Sequence, residues 1–282
     1  MKVLVTGASG QLGYDVCLEL EKRMIPFCAP ASKEMDITDR EAVLRYMEET
    51  RPDAVIHCAG VSDLAIFERE RERSWRINVD GSVNIAKASD KIRAKCVICS
   101  SDQVYFGNRT EGPHREDEEL SPVTPYGQGK LCAEQECLKV NPDCVQLRLS
   151  WMYDTFTRNG NEHGDFFRNL LRQIEQGEEL RYPVYDRRGI TDVNEVIRNL
   201  EKVFEIPGGI YNFGSPNDMD TFQTMCTVFQ NVGLEVGRIG RNEEAYRDNP
   251  RDMCMCMDKA ASFGICFPTT VDSLSENLKH FL

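Results

Sequence analysis

No stretch of this 282-residue chain approaches the roughly 20 apolar residues a membrane-spanning helix needs. Met1-Lys2 leads straight into Val3-Leu4-Val5, too short an apolar run for the core of an export signal, so no targeting segment is expected. Positive charge is also scarce: 34 Lys and Arg face 46 Asp and Glu, and the net charge of −12 repels a phosphate backbone over most of the surface. These deficits exclude a membrane-spanning helix, and neither a membrane nor a nucleic-acid partner is expected. No internal repeat at solenoid periods and no low-complexity tract is visible, which excludes repeat and fibrous architectures. Cysteine is not scarce, but twelve in a chain of this size without a signal are expected as reduced thiols, and the cytoplasm is the expected location.

Two cysteine pairs resemble metal motifs. Cys96-x-x-Cys99 lies in an apolar run that reads as a buried strand, where residues three apart point to opposite faces and cannot share an ion. Cys254-x-Cys256 sits in a Met-Cys-Met-Cys-Met run whose soft side chains also fill irregular core gaps. No residue is assigned to a metal. Glu68 to Arg73 alternates in sign and reads as a solvated helix face.

What is present is a regular alternation of short apolar runs with helical patterns, which implies a parallel sheet. Strands are expected at Lys2 to Val5, Phe27 to Ala29, Ala54 to Cys58, Lys95 to Ser100 and Cys144 to Leu149. Helices are expected at Gln11 to Arg23, from Thr38 or Asp39 to Glu49, at Trp75 to Ser89 and at Tyr126 to Val140, with a loop from Val104 to Pro125. Past Trp151 the pattern loosens, with helices at Asp165 to Gln176, Val193 to Phe204 and after Val271. The fold class is therefore α/β: a Rossmann-type doubly wound parallel sheet over residues 1–150, and a smaller carboxy-terminal substrate-binding lobe over 151–282 interleaved with the end of the sheet.

Thr6-Gly7-Ala8-Ser9-Gly10-Gln11-Leu12-Gly13 follows the first strand and opens the first helix. Glycines there permit a tight turn, close approach to a pyrophosphate and packing of helix on strand, and the helix amino terminus favours an anion. This points to a dinucleotide. An acid that would bind the ribose 2′-hydroxyl is missing from Phe27 to Ser32, whereas Ser32 and Lys33 suit a 2′-phosphate, so NADPH is expected over NADH.

Tyr126 and Lys130 form a Tyr-x-x-x-Lys motif whose side chains share one helix face, and an ammonium there would stabilise phenolate for proton transfer. Some 25 residues earlier, Ser100 and Ser101 stand just past a strand's carboxyl end, where open parallel sheets bind ligands.

Glycine loop, strand-end serine and Tyr-x-x-x-Lys occur in the chain order of the short-chain dehydrogenases. Ser100-Ser101-Asp102-Gln103-Val104-Tyr105-Phe106-Gly107 resembles the Ser-Thr-Asp-Tyr-Val-Phe-Asp-Gly stretch of the dTDP-4-dehydrorhamnose reductases. Arg76 to Gly81, Pro125 to Lys130, Arg148 to Tyr153 and Pro250 to Gly264 follow that family in order. The resemblance implies a nucleotide-sugar oxidoreductase in which Ser101 polarises a carbonyl, Tyr126 protonates its oxygen and Lys130 holds the nicotinamide ribose. It implies cofactor contacts from Gly7, Gly10, Gln11, Leu12, Gly13, Ser32, Lys33, Asp36, Ile37, Ala59, Gly60, Val61 and Asn78, besides Tyr126 and Lys130. Substrate contacts would come from Ser101, Asp102 and Trp151, and a homodimer is compatible with it. Gln103 and Phe106 stand where the family has Tyr and Asp, and Ser62 to Glu68 lacks the family's Asp-Lys pair, so selectivity is expected to differ. A sugar-nucleotide epimerase or dehydratase, and a non-enzymatic cofactor-binding subunit like the regulatory subunit of methionine adenosyltransferase, stay open as alternatives.

Overall fold

A computed structural model describes residues 1–108, 110–155 and 166–282. In chain order the elements are β1 (Val3–Thr6), α1 (Gln11–Lys22), β2 (Phe27–Cys28), α2 (Arg40–Thr50), β3 (Ala54–His57), α3 (Leu64–Arg69) and α4 (Arg71–Trp75). Next come α5 (Gly81–Ile92), β4 (Lys95–Ser101), α6 (Pro125–Val140), β5 (Val145–Leu149), β6 (Trp151–Tyr153), α7 (Phe166–Glu175), β7 (Leu180–Pro183), β8 (Asp186–Arg188) and β9 (Ile190–Asp192). The chain ends with α8 (Val193–Arg198), α9 (Leu200–Val203), β10 (Gly209–Phe213), α10 (Thr221–Val232), β11 (Ile239–Asn242), β12 (Arg251–Met253), α11 (Asp258–Ala261) and α12 (Thr270–Phe281). Among the described residues no helix is long and apolar enough to cross a membrane.

The main sheet runs β10-β5-β4-β3-β1-β2, with β2, β1, β3, β4 and β5 parallel, as the alternating pattern predicts. β1 has β2 on one side and β3 on the other, so the strand order reverses there and opens a crevice at the carboxyl ends of β1 and β3. Every residue of β1, β3 and β5 is buried, as strands covered on both faces require. Leu4, Val55, Cys96 and Ile98 on the sheet pack with Met47 of α2, Ile85 of α5 and Cys137 of α6.

Local chemistry sets the element ends. Asp39 caps α2 by accepting from the amides of Glu41 and Ala42, and Thr124 caps α6 just before Pro125. The helix expected from Trp75 instead starts with a π-helical turn, Arg76–Asp80, before α5. The helix expected over Val193 to Phe204 is two short ones interrupted at Asn199. The helix expected from Asp165 is described from Phe166, and Asp165 itself lies outside the described residues.

The chain divides into two compact units. The first holds 1–104, 120–149 and 197–211; the second holds 105–119, 150–196 and 212–282. A single cut at 150 thus misses two exchanges, 105–119 to the second unit and 197–211 to the first, the latter because β10 lies beside β5 in the sheet. The second unit is built on three parallel strand pairs, β6 with β9, β7 with β11 and β8 with β12. Its core gathers Tyr153, Phe167, Leu170, Met225, Phe229, Leu274 and Leu278. Met253, Cys254 and Met255 are buried, so the Met-Cys run fills core.

Candidate active site

Gly7 leaves β1 with φ +73°, a left-handed conformation that a side chain resists. A Cβ on Gly7 would lie 2.5 Å from the amide nitrogen of Ala59, and one on Gly13 only 2.3 Å from the carbonyl of Gly7. The loop therefore folds flat between β3's exit and α1, and the Gly10 amide closes it on the Gly7 carbonyl at 2.9 Å. Gly10 caps α1 without a side-chain hydrogen bond, and the first turn carries no acid. Gly10 and Gln11 are exposed while Leu12 and Gly13 are buried, so the open end of α1 offers its dipole to an anion at the switch point.

The facing wall is fixed by hydrogen bonds. The side chain of Asn78, in the π-helical turn, accepts from the Val61 amide at 2.7 Å and donates to the Val61 carbonyl at 2.9 Å. Ala59 and Val61 are half-buried, and Gly60 is exposed with room for no more than Asn78 beside it. Behind this wall runs a directed chain. Ser82 Oγ donates to the Asn78 carbonyl at 2.7 Å, so the hydroxyl accepts from His57 Nε2 at 3.1 Å, and His57 Nδ1 accepts from Thr6 Oγ1 at 2.7 Å. For a neutral His57 this chain places the proton on Nε2. Burial, and after it the Lys130 ammonium, push its ionisation down to about 3.

Beyond β2, Ser32 and Lys33 are exposed in a turn, and Glu34 is drawn back to accept from the Ala31 amide at 2.8 Å. Asp36 Oδ1 accepts from the amide and hydroxyl of Thr38, both at 2.9 Å. Ile37 packs on Gly81, where any Cβ would come within 2.8 Å of it, and the Ile37 carbonyl accepts from Asn84 at 2.9 Å.

Ser101 ends β4, buried, its hydroxyl donating to Asp102 Oδ1 at 3.2 Å and accepting from the Gln103 amide at 3.3 Å. The turn after Ser101 lies directly on the start of α6: a Cβ on Gly127 would stand 2.5 Å from the Gln103 carbonyl. Tyr126 is 8% exposed, held edge-on by Phe67 at 5.7 Å between ring centroids. Lys130, one turn further, places Nζ 5.7 Å from the centre of the Tyr126 ring and donates to the Cys99 carbonyl at 2.7 Å. One more turn brings Glu134, fully buried, which accepts from Ser100 Oγ at 2.5 Å and pairs with Arg148 of β5 at 2.8 Å. The structure thus brings Ser101, Asp102, Tyr126 and Lys130 together with the glycine loop and the 59–61 wall in the first unit. Trp151 belongs to the second unit, where it is 39% exposed, with Phe166 edge-on at 5.0 Å and the Arg188 guanidinium 5.0 Å from its ring.

Three positioning groups go beyond the residues the motifs mark: His57, Ser82 and Glu134. Glu134 had a signal, since it lies four residues past Lys130 and eight past Tyr126, on the same helix face. His57 and Ser82 had none, because their partners are distant in sequence.

Residues 1–262 match the RmlD substrate binding domain family. The chain is 31% identical over 246 residues to the spore coat polysaccharide biosynthesis protein SpsK of Bacillus subtilis, covering 87% of this chain and 84% of that protein. It is 28% identical to the dTDP-4-dehydrorhamnose reductase of Mycolicibacterium smegmatis over 84% of this chain and 71% of that one. The crystal structure of the Bacillus anthracis dTDP-4-dehydrorhamnose reductase in complex with NADP superposes with a TM-score of 0.84, at 24% identity and 99% coverage of each chain. The chain belongs to the RmlD substrate-binding domain family, that of the dTDP-4-dehydrorhamnose reductases.

Proposed function

We propose that the protein uses NADPH to reduce the 4-keto group of a nucleotide-linked deoxysugar, as a dTDP-4-dehydrorhamnose reductase does. The observation that carries this reading is the convergence of Ser101, Tyr126 and Lys130 with the glycine loop at one switch point of the sheet. The residues fit a dinucleotide: the Gly7 and Gly13 cradle and the open end of α1 suit a pyrophosphate, and Asn78 holds the 59–61 backbone against it. Ser32 and Lys33 would supply a hydroxyl and a cation for a 2′-phosphate, and the neighbouring Glu34 is engaged with the Ala31 amide. Asp36 and Ile37, which follow that turn, would contact the adenine as the family resemblance implies. Bound NADPH supplies the hydride.

The chain's own groups handle the oxygen. Ser101 releases its bond to Asp102 and donates to the keto oxygen, drawing electron density from the carbonyl carbon. Tyr126 gives its phenolic proton to that oxygen as negative charge develops. Lys130, pinned to the Cys99 carbonyl, keeps an ammonium beside the ring that loses the proton and has donors left for the nicotinamide ribose. The second unit serves as the substrate-binding lobe, Trp151 offering an aromatic face to the sugar nucleotide.

The test is NADPH and NADH oxidation with enzymatically prepared dTDP-4-keto-6-deoxy-L-hexose, run beside Tyr126→Phe. Turnover with NADPH that falls by roughly 10²-fold or more in the variant supports the reading. Tight cofactor binding with no oxidation by the parent overturns it and favours an epimerase or a regulatory subunit.

A further inference from the structure

Cys58 and Cys99 are not used by this mechanism, yet they stand beside it. Cys58 directly follows β3 and Cys99 lies in β4; the strand register pairs His57 with Ile98, so the two cysteines come opposite each other on neighbouring parallel strands. Both are half-buried, and their sulfurs are 3.8 Å apart. Strand neighbours have Cα atoms about 4.8 Å apart, inside the roughly 4.4–6.8 Å window a disulfide spans. Cys96, three residues before Cys99, points the other way into the core, so it does not compete.

We infer that Cys58 and Cys99 form a redox-modification site, oxidised to a disulfide by hydrogen peroxide when the dinucleotide crevice is empty. One thiolate attacks the peroxide, breaking its O–O bond and releasing water after protonation, to leave a sulfenic acid. The second thiol attacks that sulfur and displaces a second water. Two thiols lose two electrons and two hydrogens, and the peroxide is reduced to two waters. The neighbourhood selects the attacking thiol: the S–H···S contact lowers the pKa of Cys99 and raises that of Cys58, burial disfavours both thiolates, and the Lys130 ammonium offsets part of that burial.

The bond reports directly to the crevice. A disulfide closes at about 2.05 Å, so the sulfurs must approach from 3.8 Å, and whatever part of that approach side-chain rotation does not supply draws Cys58 towards β4. Gly7 has no slack against that movement, its missing Cβ position being 2.8 Å from the Cys58 carbonyl carbon and 2.5 Å from the Ala59 nitrogen. On the other strand, the Cys99 carbonyl is the acceptor that pins Lys130. Oxidation therefore disturbs both the cradle and the ammonium, and by linkage a bound dinucleotide protects the thiols. This second half rests on the dinucleotide reading above; the pairing of the thiols does not.

The experiment treats the full chain, with and without NADPH, with hydrogen peroxide, alkylates the remaining thiols and maps the peptides by mass spectrometry. A Cys58–Cys99 cross-linked peptide as the first product, two hydrogens lighter, reversed by dithiothreitol and slowed by NADPH, is the expected result. NADPH affinity measured by fluorescence titration should then fall about tenfold on oxidation, within the usual range of coupling between sites. Cys58→Ser and Cys99→Ser, each compared with its own untreated state, should show no such fall. Separate alkylation of Cys58 and Cys99 after peroxide, or a link from Cys58 to Cys17 instead, overturns the site. A Cys58–Cys99 link that leaves NADPH affinity unchanged overturns the coupling. A link in a chain that binds no NADPH even when reduced leaves the site standing and sinks the dinucleotide reading.

Discussion

Glu134 of α6 and Arg148 of β5 form an ion pair with no solvent exposure to speak of, Nη2 to Oε2 at 2.8 Å, with Nε reaching the same carboxylate at 3.0 Å. Because Glu134 also accepts from Ser100, this pair ties the helix that carries Tyr126 and Lys130 to the strand that carries Ser101. Breaking such a pair leaves a buried charge uncompensated, which costs about 3–5 kcal/mol, whereas removing both charges together can be nearly neutral. Arg148→Met alone should therefore lower the urea midpoint strongly, and Glu134→Leu with Arg148→Met should recover much of the loss. A double variant as unstable as the sum of the singles would show that the pair is not a mutually compensated unit.

His57 gives the fold a pH dependence of known direction. Its folded-state ionisation lies at about 3, against 6.5 for the free group. Between those values the unfolded chain binds a proton that the folded chain refuses, so stability falls as pH drops, by up to about 1.4 kcal/mol per unit. His57→Gln, which keeps one acceptor and one donor, should flatten urea stability across pH 6.5 to 4 relative to the parent. An unchanged slope would mean that other groups set acid sensitivity.

The glycine loop separates backbone need from ligand need. A Cβ on Gly13 collides with the Gly7 carbonyl at 2.3 Å, whereas one on Gly10 meets nothing nearer than 3.3 Å. Gly13→Ala should unfold at markedly lower temperature, by well over about 1 kcal/mol of stability. Gly10→Ala should fold normally and lose NADPH affinity, since its methyl group would project where the crevice receives a phosphate. Calorimetry and a binding titration on the two variants distinguish these outcomes.

Much of this architecture could be read from local chemistry. The strand, glycine turn and helix at Val3 to Gly13, the Asp39 cap and the Thr124-Pro125 start of α6 are written in residues adjacent in sequence, and the structure places them accordingly. The placement of Ser101 at a strand end and of Tyr126 and Lys130 one turn apart on a helix was legible because helical spacing and strand-end position are themselves short-range rules. What escaped was long-range or backbone-driven. The Thr6, His57 and Ser82 chain joins residues 51 and 25 positions apart, which no window sees. The π-helical turn at Arg76–Asp80 carries Asn78 to Val61 without a breaker residue to announce it. The assignment of 197–211 to the first unit follows from β10 lying beside β5 at the sheet edge, and that of 105–119 to the second from the bridge of His114 to Met255, and composition announces neither.

Asn78 should act on cofactor binding more than on chemistry. Its amide satisfies both the amide and the carbonyl of Val61 from a buried position, and its own carbonyl anchors the Ser82 end of the His57 chain. Asn78→Ala would leave two backbone groups without partners, at a cost of about 1–3 kcal/mol each where they are shielded from water. The 59–61 segment can relieve that by moving towards solvent, which takes the wall away from the crevice. NADPH KM should therefore rise by roughly tenfold or more while kcat at saturating NADPH changes less, because Ser101, Tyr126 and Lys130 keep their own supports. Asn78→Asp, which can still accept from the Val61 amide, should lie between the two. Equal losses in kcat and in kcat/KM with an unchanged KM would instead place Asn78 in the reaction step and overturn its assignment as a positioning residue.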